Sequence, residues 1–206
     1  MNILGIDTAT DWCGVALIQD GVCTAKVEEC IPRQHAEKLP LFYEHLKGQS
    51  NLDDVQLDGV AISIGPGSFT GLRVGLGFGK GLAFAKDLPI IPVPTLQVMA
   101  AKSGMGDESF SVLLYSHRDV VYVQNFFGDD PLGEEQVNIW DANNHSGLWI
   151  HYGCEKLMDN ENYTSVPPSA EMTGLLGEKY FNEWVETNPY DLVPNYISPF
   201  ELGEKK

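Results

Sequence analysis

Cationic side chains are scarce. Thirteen lysines and arginines stand against 29 aspartates and glutamates in 206 residues, a formal net charge of −16. Non-specific nucleic-acid affinity comes from cations that displace counterions from phosphates, so a chain this acidic is not expected to hold DNA or RNA unaided. Cysteine is sparse too. Cys13, Cys23, Cys30 and Cys154 form no Cys-x-x-Cys pair and no metal spacing, and reduced cytosolic thiols are expected. No apolar run approaches the ~20 residues of a membrane-spanning helix. The N-terminus has no basic region and Asp7 interrupts its apolar run, which is not a signal-peptide pattern. The histidines, His35, His45, His117, His145 and His151, include no pair four apart, so no two share a helix face to bind one metal.

The familiar phosphate loops are missing as well. A P-loop ending at Gly79-Lys80 needs a glycine at Val74 and a serine or threonine at Gly81. A Gly-x-Gly-x-x-Gly loop starting at Gly65 or Gly75 needs its third glycine at Thr70 or Lys80. Ser68 is not in a nucleophile elbow, because Pro66 takes the first glycine position and Gly71 comes one residue late. The carboxylate pairs Asp53-Asp54, Asp129-Asp130 and Glu134-Glu135 fall in polar stretches, where solvation accounts for them. With 43% hydrophobic and 20% charged residues, the composition is that of an ordinary folded protein.

What is present centres on residues 59–86. Val60 to Ile64 is a short β-branched apolar run that reads as a buried strand. The tight loop Gly65-Pro66-Gly67 follows, and Ser68 and Thr70 are both N-cap candidates for a helix reaching Lys86. That helix carries Gly71, Gly75, Gly77, Gly79 and Gly81, each costing about 1 kcal/mol against alanine. Gly71, Gly75 and Gly79 fall at i, i+4, i+8 on one face, where a neighbour can approach closely. Close packing within the domain and packing against another chain both explain that face.

Upstream, Asn2 to Ile6 reads as a strand delivering Asp7, Thr8 and Thr10 to a loop. Val15–Ile18 and Val22–Glu28 read as strands joined by the hairpin turn Asp20-Gly21. His35 to Lys47 reads as a helix with His35, Leu39, Phe42 and Leu46 on one stripe, complicated by Pro40 and stopped by Gly48. Ile90–Val93 is the next strand and Thr95 caps a short helix through Lys102. We place a division at residues 98/99. The second half offers strands at Phe110–Tyr115, Val120–Phe127, Val137–Trp140 and Leu148–Tyr152, a helix over Ser169–Glu186, a last strand at Val193–Ile197 and a frayed tail at Gly203–Lys206.

Three strings in order, Ile3-Leu4-Gly5-Ile6-Asp7-Thr8-Ala9-Thr10, His35-Ala36-Glu37-Lys38-Leu39-Pro40 and Gly65-Pro66-Gly67-Ser68-Phe69-Thr70-Gly71-Leu72-Arg73-Val74-Gly75, resemble the TsaB (YeaZ) family. The match is good over the first half and much weaker after Lys102. The resemblance implies an α/β fold of the actin-like, RNase H-type superfold: an N-terminal subdomain over 1–98 and a degenerate one over 99–206, each a mixed sheet flanked by helices. It implies a non-catalytic, cytoplasmic subunit that binds and activates its paralogue TsaD in making threonylcarbamoyl-adenosine beside the tRNA anticodon, joined by the ATPase TsaE. tRNA would be met only through the complex, and the chain alone would pair with itself. TsaD carries a His-x-x-x-His metal motif that this chain lacks.

The family's pairing helices correspond to His35–Lys47 and Thr70–Lys86. The interface expected here is therefore His35, Leu39, Phe42 and Leu46 with Gly71, Leu72, Val74, Gly75, Phe78, Gly79 and Leu82. On that expectation Gly75→Leu breaks the complex and leaves the subunit folded. Asp7, Thr8 and Thr10 stand where actin-like enzymes keep a first phosphate loop, which makes an ATP-dependent phosphotransferase or ATPase the alternative; ATP and magnesium at the complex interface stay open. The second half departs from the family's Asp-x-Arg-x-x-Glu-Val-Tyr string, since those Asp, Arg and Glu positions read Tyr115, His117 and Val120.

Overall fold

A computed structural model describes residues 1–140, 147–158 and 163–197. Strand β1 (Asn2–Asp7), β2 (Trp12–Gln19) and β3 (Val22–Cys30) form an antiparallel meander. The turn between β2 and β3 places Asp20 at φ 49° and Gly21 at φ 78°, the pair of left-handed residues that a two-residue hairpin requires. Helix α1 (His35–Ser50) follows, then β4 (Gly59–Gly65), α2 (Phe69–Lys86), β5 (Ile90–Pro94) and α3 (Thr95–Ser103). Strands β4 and β5 add in parallel beside β1, giving the order β3-β2-β1-β4-β5.

The second sheet repeats that plan. Strands β6 (Ser109–His117), β7 (Val120–Phe127) and β8 (Asp130–Ile139) are an antiparallel meander. Strand β9 (Leu148–Tyr152) lies parallel beside β6, and β10 (Thr164–Ser165) lies parallel beside β9. Two sheets with the same order and the same directions are a duplicated architecture. Helix α4 (Ala170–Lys179) and the single turn α5 (Phe181–Trp184) complete the set.

Period-two alternation in β1 decides which face meets what. Leu4 and Ile6 join Leu39, Phe42 and Leu46 of α1 and Leu76 and Ala83 of α2 in one core cluster. Ile3 points the other way, to Ala170 and Leu176 of α4 and Val98 of α3. Leu96, Met99 and Ala100 of α3 then pack on Phe110, Val112 and Phe126 of the second sheet. The layers are α1 and α2, first sheet, α3 and α4, second sheet. Helix α4 comes so near β1 that a Cβ on Gly5 would stand 2.2 Å from the Ala170 carbonyl oxygen. Residues 99–206 therefore do not all belong to the second sheet, because α4 covers the first.

Several sequence expectations shift. Helix α1 runs past Gly48 and ends at Asn51, which takes the left-handed conformation; Pro40 sits exposed inside it. Ser68, not Thr70, caps α2 by accepting from the Gly71 amide at 3.2 Å. Pro94, not Thr95, precedes α3. Strand β8 starts seven residues before Val137, at Asp130. The helix expected over 169–186 is broken at Tyr180, and 193–197 forms no strand. The tail 203–206 lies outside the described residues.

Candidate functional site

Most of the expected partner-binding residues are committed inside the chain. The stripe His35, Leu39, Phe42 and Leu46 is buried against the first sheet and α2. The His35 Nε2–H reaches the carbonyl oxygens of Thr10 at 2.8 Å and Trp12 at 3.2 Å, which ties the start of α1 to the loop after β1. The glycine face is also filled from within. A Cβ at Gly71 would stand 2.1 Å from the Thr8 carbonyl oxygen, at Gly75 2.2 Å from Thr8 Oγ1, and at Gly79 2.2 Å from Ile62 Cδ1. Leu72 is buried beside them. The glycines serve close helix-on-sheet packing, so the expectation that Gly75→Leu spares the fold is corrected. Both an intrachain face and an interface use small and apolar residues at helical spacing, and spacing alone does not separate them.

Val74, Phe78 and Leu82 lie half-buried at the seam between α1 and α2, where the Tyr43 and Phe78 rings meet edge to face at 5.7 Å. The outward surface is a stripe the sequence reading passed over. Gly77 and Gly81 have nothing within 4 Å of an added Cβ. Phe84, one turn further on, is 76% exposed, and Leu41 on α1 is 56% exposed. Gly77, Gly81 and Phe84 at i, i+4, i+7 carried the signal, hidden by the more regular Gly71 series.

The loop after β1 is likewise satisfied internally. Thr8 donates its hydroxyl to the Gly71 carbonyl at 2.8 Å, and Thr10 Oγ1 accepts from the Trp12 amide at 3.2 Å. Asp7 is 1% exposed; its carboxyl accepts from the Ala9 amide at 3.2 Å and lies 3.3 Å from Thr173 Oγ1 of α4. Burial pushes this carboxyl up to about 6, the nearby Glu28 charge adding to the effect. Magnesium with a nucleotide, the ligand an actin-like fold implies, requires charged carboxylates facing the phosphates. Asp7 faces α4 instead, and no group of three or more metal-ligating side chains occurs among the described residues. The residues do not fit that ion.

A cleft of about 1230 Å³ opens between the sheets. One wall is the loops at the carboxyl ends of β1 and β4, where ligands of α/β sheets commonly sit; Arg33 and Arg73 project from this side. The other wall is the end of β6 with Tyr122 and Tyr152. A strap formed by residues 189–197 closes one side. Lys80 Nζ donates to the Tyr190 and Leu192 carbonyls at 2.9 and 2.7 Å, and the Asn195 amide donates to the Ile64 carbonyl at 2.7 Å. Asn195 Nδ2 reaches Glu135 Oε2 at 2.7 Å, and burial holds that carboxyl up at about 7.

Duplicated mixed sheets with helices on their faces and a cleft between them define an actin-like α/β protein. Comparison with known proteins narrows the class. The family described as "TsaD: tRNA N6-adenosine threonylcarbamoyltransferase" matches residues 27–137. The tRNA threonylcarbamoyladenosine biosynthesis protein TsaB of Bacillus subtilis (strain 168) is 30% identical over 156 residues, 76% of this chain and 67% of that protein. TsaB of Escherichia coli (strain K12) is 43% identical over 100 residues, 48% of this chain but only 43% of that protein. A crystal structure from Pseudomonas aeruginosa, of a protein with similarity to peptidase YEAZ, superposes with a TM-score of 0.77 at 27% identity, covering 96% of this chain and 99% of that one. The chain belongs to the TsaB (YeaZ) family. It spans less than half the length of some curated relatives it matches, such as the E. coli protein.

Proposed function

We propose that this chain is a non-catalytic subunit of the machinery making threonylcarbamoyl-adenosine in tRNA, and that it acts by docking on TsaD and holding it in a competent conformation. The observation that carries the reading is the outward stripe of α2, with Gly77 and Gly81 open to solvent beside Phe84 and Leu41. Large apolar side chains left in water next to a flat glycine track are the pattern of a surface awaiting a partner helix. Val74, Phe78 and Leu82 would close the seam on docking. The names of the relatives point to the partner: the family description is that of TsaD, and the matched relatives are named for threonylcarbamoyladenosine biosynthesis. TsaE would join this assembly, tRNA would be reached through it, and the setting would be the cytoplasm. Without TsaD the same stripe would pair two copies of the chain.

In fold terms we read each sheet with its helices as an RNase H-like unit, divided near residue 98, with α4 returned to the first. The ATPase alternative draws little from the site, because Asp7 is turned from the cleft and shielded by α4.

The test is size-exclusion with light scattering on this chain mixed with TsaD from the same genome. A defined heterocomplex is expected. Gly77→Leu combined with Gly81→Leu should weaken it roughly thirtyfold or more, the ~2 kcal/mol of a hot spot, while the melting temperature of the isolated variant is unchanged or higher. A complex of unaltered affinity would remove the stripe from the interface.

A further inference from the structure

The chain is strongly acidic, yet the cleft is not. Arg33, Arg73 and His117 line it, and Asp11 is the one carboxylate among the residues identified there. The N-terminus of α2 also faces the cleft through Gly67, Ser68 and Phe69, and its first turn contains no acidic residue. A long helix of 18 residues directs its positive dipole end and first-turn amides at whatever lies there. Arg73 is held in place from two sides. Its guanidinium lies 3.6 Å from the Phe69 ring centroid, and its Nε–H donates to Tyr196 Oη at 2.8 Å. These contacts leave its two terminal amino groups without a hydrogen-bond partner among the described residues, aimed as a fork of the kind that grips phosphate. Arg33 makes no ion pair with any described residue.

The remaining walls are aromatic. Tyr115, Tyr122 and Tyr152 come from the second sheet and Tyr196 from the strap. Rings of this kind stack on planar ligand rings in a sequence-tolerant way. Inorganic phosphate would leave these aromatic walls and most of about 1230 Å³ unfilled.

We infer that this cleft binds a nucleoside monophosphate without a divalent cation, its phosphate on Arg33, Arg73 and the α2 N-terminus and its base among Tyr115, Tyr152 and Tyr196. The two guanidinium groups supply the charge compensation that a metal supplies elsewhere. The site is separate from the outward stripe of α2 and does not rest on the docking reading.

Equilibrium dialysis of the full chain with AMP, in EDTA and again in excess magnesium, tests it. Saturable binding is expected, equal in the two buffers and weakened by salt. Adenosine and inorganic phosphate should each bind at least about tenfold more weakly than AMP, since each keeps only half of the contacts. Arg33 sits in the left-handed region at φ 64°, so Arg33→Gly relieves backbone strain and should fold at least as well as the parent. It should nonetheless weaken AMP binding roughly tenfold or more, as loss of a charged hydrogen bond does. Arg73→Lys, which keeps the charge and loses the fork, should weaken it less. The inference fails if AMP shows no saturation at millimolar concentration. It fails equally if binding requires magnesium, if phosphate alone binds as well as AMP, or if Arg33→Gly binds like the parent.

Discussion

Gly75→Ala should lower the melting temperature while Gly77→Ala raises it, although the two positions are two residues apart on one helix and the substitution is the same. Alanine in a helix interior gains about 1 kcal/mol over glycine. At Gly77 nothing lies within 4 Å of the new methyl, so the gain is kept and the midpoint should rise by about 2–4 °C for a domain of this size. At Gly75 the methyl would lie 2.2 Å from Thr8 Oγ1. Thr8 is fully buried and its hydroxyl is bonded to the Gly71 carbonyl, so it cannot turn aside without breaking that bond. Overpacking of a core by one methyl costs about 1–3 kcal/mol, and the lost hydrogen bond adds about 1 kcal/mol. The net destabilisation is about 2–3 kcal/mol, a fall of several degrees. Gly75→Leu extends the clash into the sheet and should give little folded protein. Thermal melts followed by circular dichroism read both signs. A rise in both variants would show that α2 stands off the sheet and that its inner glycines do not serve packing.

The same comparison shows what was legible in the sequence. The first sheet was, because its signals are local: the Asp20-Gly21 turn, the apolar run Val60–Ile64 and the Ser68 cap each act within a few residues. Strand β8 was read short because Pro131, Gly133 and the Glu134-Glu135 pair look like a loop, and the strand survives with them because it is a largely exposed edge. The helix over 169–186 was read long because nothing between Lys179 and Phe181 is a strong breaker; the interruption at Tyr180 accompanies stacking of its ring on Trp184 at 4.3 Å. The docking stripe was misplaced by one helix face. Gly71, Gly75 and Gly79 make the more regular series, and a single sequence does not say which face meets the sheet. The cleft was invisible for a different reason: Arg33, Arg73, His117, Tyr152 and Tyr196 come from separate elements, and only the relative placement of two sheets and a strap brings them together.

Asp7→Asn should stabilise the protein at pH 7.5 and make little difference below pH 4. The carboxyl is fully buried, and burial raises it from 3.8 to about 6. Between those values the unfolded chain has released the proton and the folded chain still holds it. Stability therefore falls as pH rises through this window and then levels off. A shift of about two pH units corresponds to about 3 kcal/mol, the cost of ionising Asp7 inside the fold. Asparagine is neutral throughout. Its carbonyl oxygen can accept from the Ala9 amide as Asp7 does. Its amide can donate to Thr173 Oγ1, whose own proton goes to the Ser169 carbonyl at 2.9 Å. Glu135, held up at about 7 by burial, titrates in the same direction over a window ending about one unit higher, so the parent will keep losing stability above pH 6. Subtracting the Asp7→Asn curve from the parent curve, measured by urea unfolding from pH 4 to pH 8, isolates the Asp7 part, and Glu135→Gln isolates the other. A difference that grows to about 3 kcal/mol and flattens near pH 6 identifies Asp7 as a carboxyl that folding keeps protonated, unsuited to balancing a metal and phosphates. A variant less stable than the parent at pH 7.5 would mean that the fold supports the charged form. The loop after β1 would then regain the chemistry of a working phosphate loop.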